Sequence, residues 1–397
     1  MFSKLFNILR SDGRTLYVGS RGFASFLALV LSVVYSRELG VDKRSVLTFI
    51  LVASLICATF LISPYSLTYR KITLRSKNVN DIHTTYSFLL VVISILATVV
   101  STLSLYFFDT YVTSVPKNLF VASAIYTFTS SLAYGIQDIL VACHKIRTNA
   151  IFDVATAVLQ IITFFILTYY SKTSLIVSVL LSLSMPYFLT SFTIFTLIFN
   201  LYSPPSLFSF KLLLKGIRKN SVTSLSLSIL DRYDKLLIAF LLPISFLGKY
   251  SVITGFVSIF RFLPDSYARS VFLPNNQISA NRPTRAFYLF IIAALLLIPI
   301  SIEGLISIAL GDVWLISTFF ILLVTIQEFG RAFFQYRLNL NIRSGFENKA
   351  FRASVVCLGV ALVTVPLSIW SYGVYGPPIV LSLIYFFIAI WLGGESA

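Results

Sequence analysis

The residues best able to do chemistry in this chain are charged side chains inside long apolar stretches. Arg261, Asp265 and Arg269 are spaced four residues apart, so on a helix they share one face and drift by only about 40° over roughly 12 Å. An ionised group at the centre of a membrane span costs about 2.5–3.5 kcal/mol, so it normally has a partner or lines a polar cavity. The spacing predicts a basic stripe, either an internal ion-pair ladder or a surface for an anion. Because two arginines share one acid, we favour the surface for an anion.

Two further pairs of charges have helical spacing. Asp231 and Lys235 are four residues apart within a group of four charges. Carboxylates of this kind either bind sugar hydroxyls or form structural ion pairs, and the sequence leaves both open. Glu328 and Arg331 are three residues apart, so they can satisfy each other on one helix face, which favours a structural role. Asp231, Glu328 and Arg331 are kept as candidate substrate-binding residues.

Arg21 is the charged residue of the first apolar stretch. It lies about 10 Å beyond the boundary set by Arg14 on a helix that rises 1.5 Å per residue, which is deep for a side chain that must reach the interface. Its candidate partners are Asp138 and Asp153, near the ends of the fourth and fifth predicted spans. Structural pairing and lining of a cavity are both open for Arg21.

Enzyme motifs are missing from the sequence. It contains no GxxxxGK[ST] loop, no HExxH, no CxxC and no GxSxG, and these are the patterns that carry nucleotide, metal and acyl-transfer chemistry. The three cysteines fall in apolar runs, which predicts packing residues and no disulfide framework. We therefore predict a protein that is not an enzyme and has no catalytic residues, no metal site and no cofactor.

The composition defines the elements that must position these charges. Of 397 residues 57% are hydrophobic and 12% are charged, and the mean hydropathy is +0.89, which excludes an ordinary water-soluble domain. About 20 apolar residues cross a bilayer core, so the chain has room for about twelve transmembrane helices in an all-α integral membrane fold. The predicted spans are 15–36, 45–66, 84–107, 118–142, 148–170, 174–199, 216–242, 250–273, 286–306, 313–336, 353–371 and 376–392.

The basic residues of the loops indicate the orientation. One alternating set of loops, counted with the adjoining span ends, holds 20 Lys and Arg residues and the other holds 6. By the positive-inside rule this predicts that both termini are cytoplasmic. The formal charge of +16 is therefore a topology signal, and no nucleic-acid partner is predicted. The charged connection at 200–219 divides the chain into a six-helix lobe at 1–205 and another at 206–397.

Two segments resemble a known family of membrane proteins. Residues 229–274 combine an acidic-basic pair, an apolar run, a Gly-x-Tyr and a helix ending in Pro, and residues 134–160 form a second match. Together they resemble the O-antigen or polysaccharide flippase branch of the MATE-like (multidrug/oligosaccharidyl-lipid/polysaccharide) exporter superfamily. The resemblance implies two six-helix lobes around a central cationic cavity and transport by alternating access.

The same resemblance implies the cargo and the setting. The cargo would be a polyprenyl-pyrophosphate-linked oligosaccharide repeat unit, moved from the inner to the outer leaflet of the bacterial cytoplasmic (inner) membrane during O-antigen and lipopolysaccharide synthesis. Arg21, Arg261 and Arg269 would hold the pyrophosphate. The implied partners are the lipid-linked oligosaccharide, the bilayer, and a polysaccharide polymerase with its chain-length machinery.

Two other functions remain open at this point. One is a cation-coupled multidrug exporter, whose cavity would be acidic and aromatic, whereas the spans here hold five basic residues away from their ends. The other is a membrane-embedded polysaccharide polymerase or glycan-modifying enzyme. That class would normally need a large outer loop or a histidine-rich site, and the sequence predicts neither.

Overall fold

The computed structural model describes residues 13–75, 80–112, 117–142, 146–170, 174–199, 205–270 and 285–393. Within these ranges the chain forms twelve α-helices, two 3-10 turns (Asp312–Trp314 and Gly373–Tyr375) and no strand. This confirms the predicted all-α fold. The helices are α1 (Gly13–Arg75), α2 (Asn80–Val112), α3 (Lys117–Ala142), α4 (Ile146–Tyr170), α5 (Leu175–Phe199), α6 (Leu207–Leu230), α7 (Tyr233–Leu241), α8 (Ile244–Ser270), α9 (Arg285–Leu310), α10 (Thr318–Arg343), α11 (Glu347–Tyr372) and α12 (Gly376–Gly393).

Six helical segments of the described chain are long and apolar enough to cross a membrane. Two of them, Gly19–Arg70 and Glu347–Gly393, contain 52 and 47 residues. At 1.5 Å per residue they measure about 78 and 70 Å, more than twice the roughly 30 Å of a bilayer core. Each has the length of two crossings, so the chain is a multi-pass membrane protein.

The first two predicted spans meet within α1 at Gly40. This glycine has φ 70° and ψ 174°, so α1 is two helices joined at a kink. A side chain at this position would be strained by the positive φ, which glycine adopts freely. A single glycine therefore forms the turn between the first two spans.

The seventh predicted span differs from its prediction. It was expected as one helix over 216–242, but α6 begins earlier, at Leu207, and ends at Leu230, and α7 begins at Tyr233. The chain turns at Asp231 and Arg232, whose amides donate to the carbonyls of Leu227 and Ile229 at 3.0 Å each. Broken helices are tolerated at membrane depth where protein or a polar cavity satisfies the freed backbone.

The chain divides into two compact units. Unit 1 comprises the described residues of Met1–Ser20 and Phe49–Arg232, and unit 2 comprises those of Arg21–Thr48 and Tyr233–Ala397. This grouping differs from the predicted division at 205/206 in two segments, 21–48 and 206–232. The division of the chain into two transporter lobes, 1–205 and 206–397, stays a prediction.

Each unit has an aromatic core of its own. In unit 1 the rings of Tyr69 and Tyr86 stack with centroids 4.1 Å apart inside a cluster of buried aliphatic side chains. In unit 2 Phe334 stacks on Tyr385 with centroids 5.8 Å apart. These cores fix the positions of the polar groups that lie between the helices.

Candidate functional site

Unit 2 contains a buried cluster of ionisable groups. Asp234 of α7 accepts a hydrogen bond from the Tyr250 hydroxyl of α8 at 2.5 Å and from the Gln327 amide of α10 at 3.2 Å. The Tyr250 hydroxyl also lies 3.2 Å from the Gln327 carbonyl oxygen. All three side chains are buried. One carboxylate therefore links three helices of the same unit.

The break before α7 explains the position of Asp234. This residue stands in the first turn of α7, where the backbone amides have no partner within the helix, and its carboxylate accepts the Lys235 amide at 2.8 Å. A carboxylate in this place is favoured by the helix dipole. The chain turn at 231–232 thus creates a helix start inside a predicted span and places an acid there.

A second acid and a base complete the cluster. Glu328 pairs with Arg331 one turn later on α10, with 3.2 Å between Oε1 and Nη1, and both side chains are buried. Tyr385 of α12 is buried and packs against α10 through its stacking on Phe334. Four helices thus enclose two carboxylates and one guanidinium, so the local charge is negative when both acids are ionised.

The predicted pairing of Glu328 with Arg331 is confirmed. Asp231 and Lys235, in contrast, do not lie on one continuous helix. Asp231 follows the end of α6, with its carboxylate 3.2 Å from Arg232 Nη1, and Lys235 belongs to a separate helix. The continuous helix that would set them one turn apart is therefore wrong.

The Arg261 stripe lies on α8. The helix runs through positions 261, 265 and 269, as the spacing predicted. The side chains of Arg261, Asp265 and Arg269 lie outside the described residues, so their roles stay predictions. Arg21 is half-buried on α1 and belongs to unit 2. Six of the seven candidate residues therefore fall in one unit, the exception being Asp231.

The two acids considered as partners of Arg21 are engaged within unit 1. Asp138 binds the guanidinium of Arg70, whose Nε lies 2.9 Å from Oδ1, and also accepts from Ser66. Asp153 accepts the Gln137 amide at 2.8 Å. The pairing of Arg70 with Asp138 joins residues 68 positions apart in the chain, so sequence spacing gave no signal for it.

Unit 1 also contains an apolar groove. It has a volume of about 620 Å³ and lies between α2, α3 and α5. Met185, Phe188 and Leu189 line it, and each is at least partly exposed. An apolar groove with exposed walls suits hydrocarbon better than a polar substrate.

Histidine, cysteine and acidic residues do not gather in groups of three that could hold a metal ion in the described part of the chain. Cys57 and Cys357 are both free thiols. In these ranges the polar clusters described above are the candidates for binding.

Comparison with known proteins identifies the fold. No family model matches the chain, and no curated protein matches it in sequence. Solved structures do match. A crystal structure of the Vibrio cholerae MATE transporter VcmN superposes with a TM-score of 0.67 at 13% identity, covering 96% of this chain and 94% of that one.

Two further structures give the same result. The eukaryotic MATE transporter AtDTX14 has a TM-score of 0.66 at 12% identity, covering 98% of this chain and 96% of that one. The lipid II flippase MurJ, in an inward closed conformation, has a TM-score of 0.66 at 13% identity, covering 95% and 86%. The chain thus has the fold of MATE transporters and of other members of the MOP superfamily. The three structures are of two transporters and a flippase.

Proposed function

We propose that the protein is a flippase that moves a polyprenyl-pyrophosphate-linked oligosaccharide from the inner to the outer leaflet by alternating access. The observation that carries the proposal is the set of basic residues that lie away from the ends of the predicted spans in a chain with this transporter fold. The members of this set are Arg21, Arg232, Lys235, Arg261 and Arg331. Such residues are costly in a membrane and are normally kept for function.

The chemistry of the cargo agrees with these residues. A pyrophosphate carries several negative charges, and planar guanidinium groups bind phosphate oxygens through paired hydrogen bonds. The proposed ligands are Arg21, Arg261 and Arg269, which belong to the same compact unit. The lipid tail stays in hydrocarbon while the head group crosses, so the protein needs a polar path for the head group only.

The proposed location is the bacterial inner membrane with both termini in the cytoplasm. This orientation rests on the uneven distribution of Lys and Arg between the two sets of loops. The lipid-linked precursor would be taken up on the cytoplasmic side and delivered to a polymerase and its chain-length machinery on the outer side.

A depletion experiment tests the function. Cells that lose the protein should accumulate unpolymerised lipid-linked repeat units that resist an externally added glycosidase, and re-expression of the wild-type chain should reverse this. Repeat units that reach the outer face at the normal rate but stay unjoined would contradict the proposal and identify a polymerase.

The buried acids favour one second candidate, a cation-coupled drug exporter. The buried cluster around Asp234 and Glu328 holds two carboxylates and one guanidinium, and one structural neighbour is a multidrug resistance MATE family transporter. In this case, cells without the protein would become more sensitive to cationic dyes such as ethidium. Their lipid-linked saccharides would be unchanged.

A further inference from the structure

Arg44 lies beside the kink that joins the two helices of α1. The kink is at Gly40, four residues before Arg44. The guanidinium carbon of Arg44 lies 4.4 Å from the centroid of the Tyr35 ring, and its Nη2 lies 3.4 Å from the hydroxyl of Ser32. All of these residues belong to unit 2. The kink thus folds a cation back onto the helix that precedes it.

This guanidinium is buried and incompletely bonded. Arg44 is only 5% exposed, and its Nε and Nη1 have no hydrogen-bond partner. The Ser36 hydroxyl, one turn after Ser32 on the preceding helix, is fully buried and also has no partner. Buried polar groups in proteins are nearly always bonded, so three unpaired atoms in one hairpin require an explanation.

Neighbouring acids do not supply the missing bonds. Within the described residues Arg44 forms no ion pair, and the two carboxylates nearest in sequence, Glu38 and Asp42, are exposed. Loss of a proton does not remove the cost either, because arginine side chains are not deprotonated in proteins. The Tyr35 ring offsets part of the charge by a cation–π contact. It does not supply hydrogen-bond acceptors for Nε and Nη1, which stay unbonded.

We propose that Arg44 and Ser36 form a binding site for an oxyanion of the phosphate class. The two free N–H groups and the free hydroxyl are donors, and a phosphate group offers several acceptor oxygens that bond well to a guanidinium. The site is separate from Arg21, which lies 15 residues before Ser36, or about 22 Å along the helix.

The position of the site gives it a role in transport. With the N-terminus in the cytoplasm, Arg21 lies towards the inner side and the kink at Gly40 lies at the outer side. Arg44 would then bind the diphosphate of a lipid-linked cargo near the outer leaflet, before release. This role rests on the proposed function, whereas anion binding at Arg44 does not.

Amide hydrogen exchange of residues 37–47 tests the site directly. The full-length protein is placed in nanodiscs of phosphatidylcholine, and exchange is measured with and without inorganic pyrophosphate. Pyrophosphate should slow exchange in this segment several-fold in the wild-type chain and in Lys43→Met, which changes an exposed neighbouring cation. It should have no effect in Arg44→Met, and a weaker effect in Ser36→Ala.

Farnesyl diphosphate identifies the source of the anion. If it acts at a concentration at least tenfold lower than pyrophosphate, the site takes a lipid-linked diphosphate; equal potency supports a site for the free anion. If neither compound changes exchange in the wild-type chain, the proposed anion site is overturned, whatever the variants show. If pyrophosphate slows exchange in the wild-type chain as expected but depleted cells accumulate no lipid-linked repeat units, the proposed function is overturned and the anion site stands.

Discussion

Arg331 is a buried cation whose charge is offset by a neighbouring carboxylate. Glu328 lies one turn earlier on α10, and both side chains are buried. Removing one member of a buried pair leaves an uncompensated charge, whereas replacing both by apolar residues of similar size removes two desolvation costs together. At this scale, single and double substitutions therefore separate the energy of the pair from that of each residue.

Glu328→Leu should lower the free energy of unfolding by about 3–5 kcal/mol, because it removes the carboxylate that pairs with Arg331 in a buried site. The double variant Glu328→Leu/Arg331→Met should recover most of this loss. Denaturant unfolding of the purified protein in detergent measures both. A double variant as unstable as the single one would show that the two residues do not act as a pair.

Arg261→Ala should abolish transport while the protein still inserts at wild-type levels, because the proposed phosphate ligand is lost. Adding Asp265→Ala should not restore transport. Arg352→Ala, which changes an exposed arginine of α11, is the matched control and should transport normally. The readout is appearance of lipid-linked saccharide on the outer face; recovery in the Arg261/Asp265 double variant would assign the pair a structural role.

Helices and their connections differ in how well the sequence predicts them. Apolar runs located the spans because each run must fill the bilayer thickness, and the Glu328–Arg331 pair was visible because its members are one turn apart. The apolar pattern does not predict the break at Asp231–Arg232, because hydropathy is averaged over a whole span and two residues within it change the average little. The bond between Asp234 and Gln327 joins residues 93 positions apart, and spacing carries no information at that range.

Gly40→Ala should lower the free energy of unfolding by about 1–3 kcal/mol, because alanine is strained at φ 70° and ψ 174°. Gly359 is the matched control, since it lies within α11 with open space around its Cα. Gly359→Ala should be neutral or stabilise by up to about 1 kcal/mol, because alanine favours a helix interior. Thermal unfolding of both variants compares them, and equal effects would argue against a required positive φ at Gly40.

The whole molecule has an orientation that the loop charges predict. Reporters that are active only outside the cytoplasm should be silent when fused at either terminus or within 200–219. They should be active near Lys117, Lys172 and Lys249, because these positions lie in the loops poor in basic residues. Activity of a fusion at residue 210 would overturn the six-plus-six topology.

The grouping of Arg21–Thr48 with Tyr233–Ala397 has a consequence for biosynthesis. The ribosome makes residues 21–48 early, yet the rest of their unit follows only after the intervening segment Phe49–Arg232, which is 184 residues long. At about 5–20 residues per second the delay is roughly 10–40 s. During that time the nascent first hairpin has no native neighbours from its own unit. All residues of unit 1 are therefore made before most of unit 2, and the first hairpin can complete its packing only when the later helices of unit 2 follow.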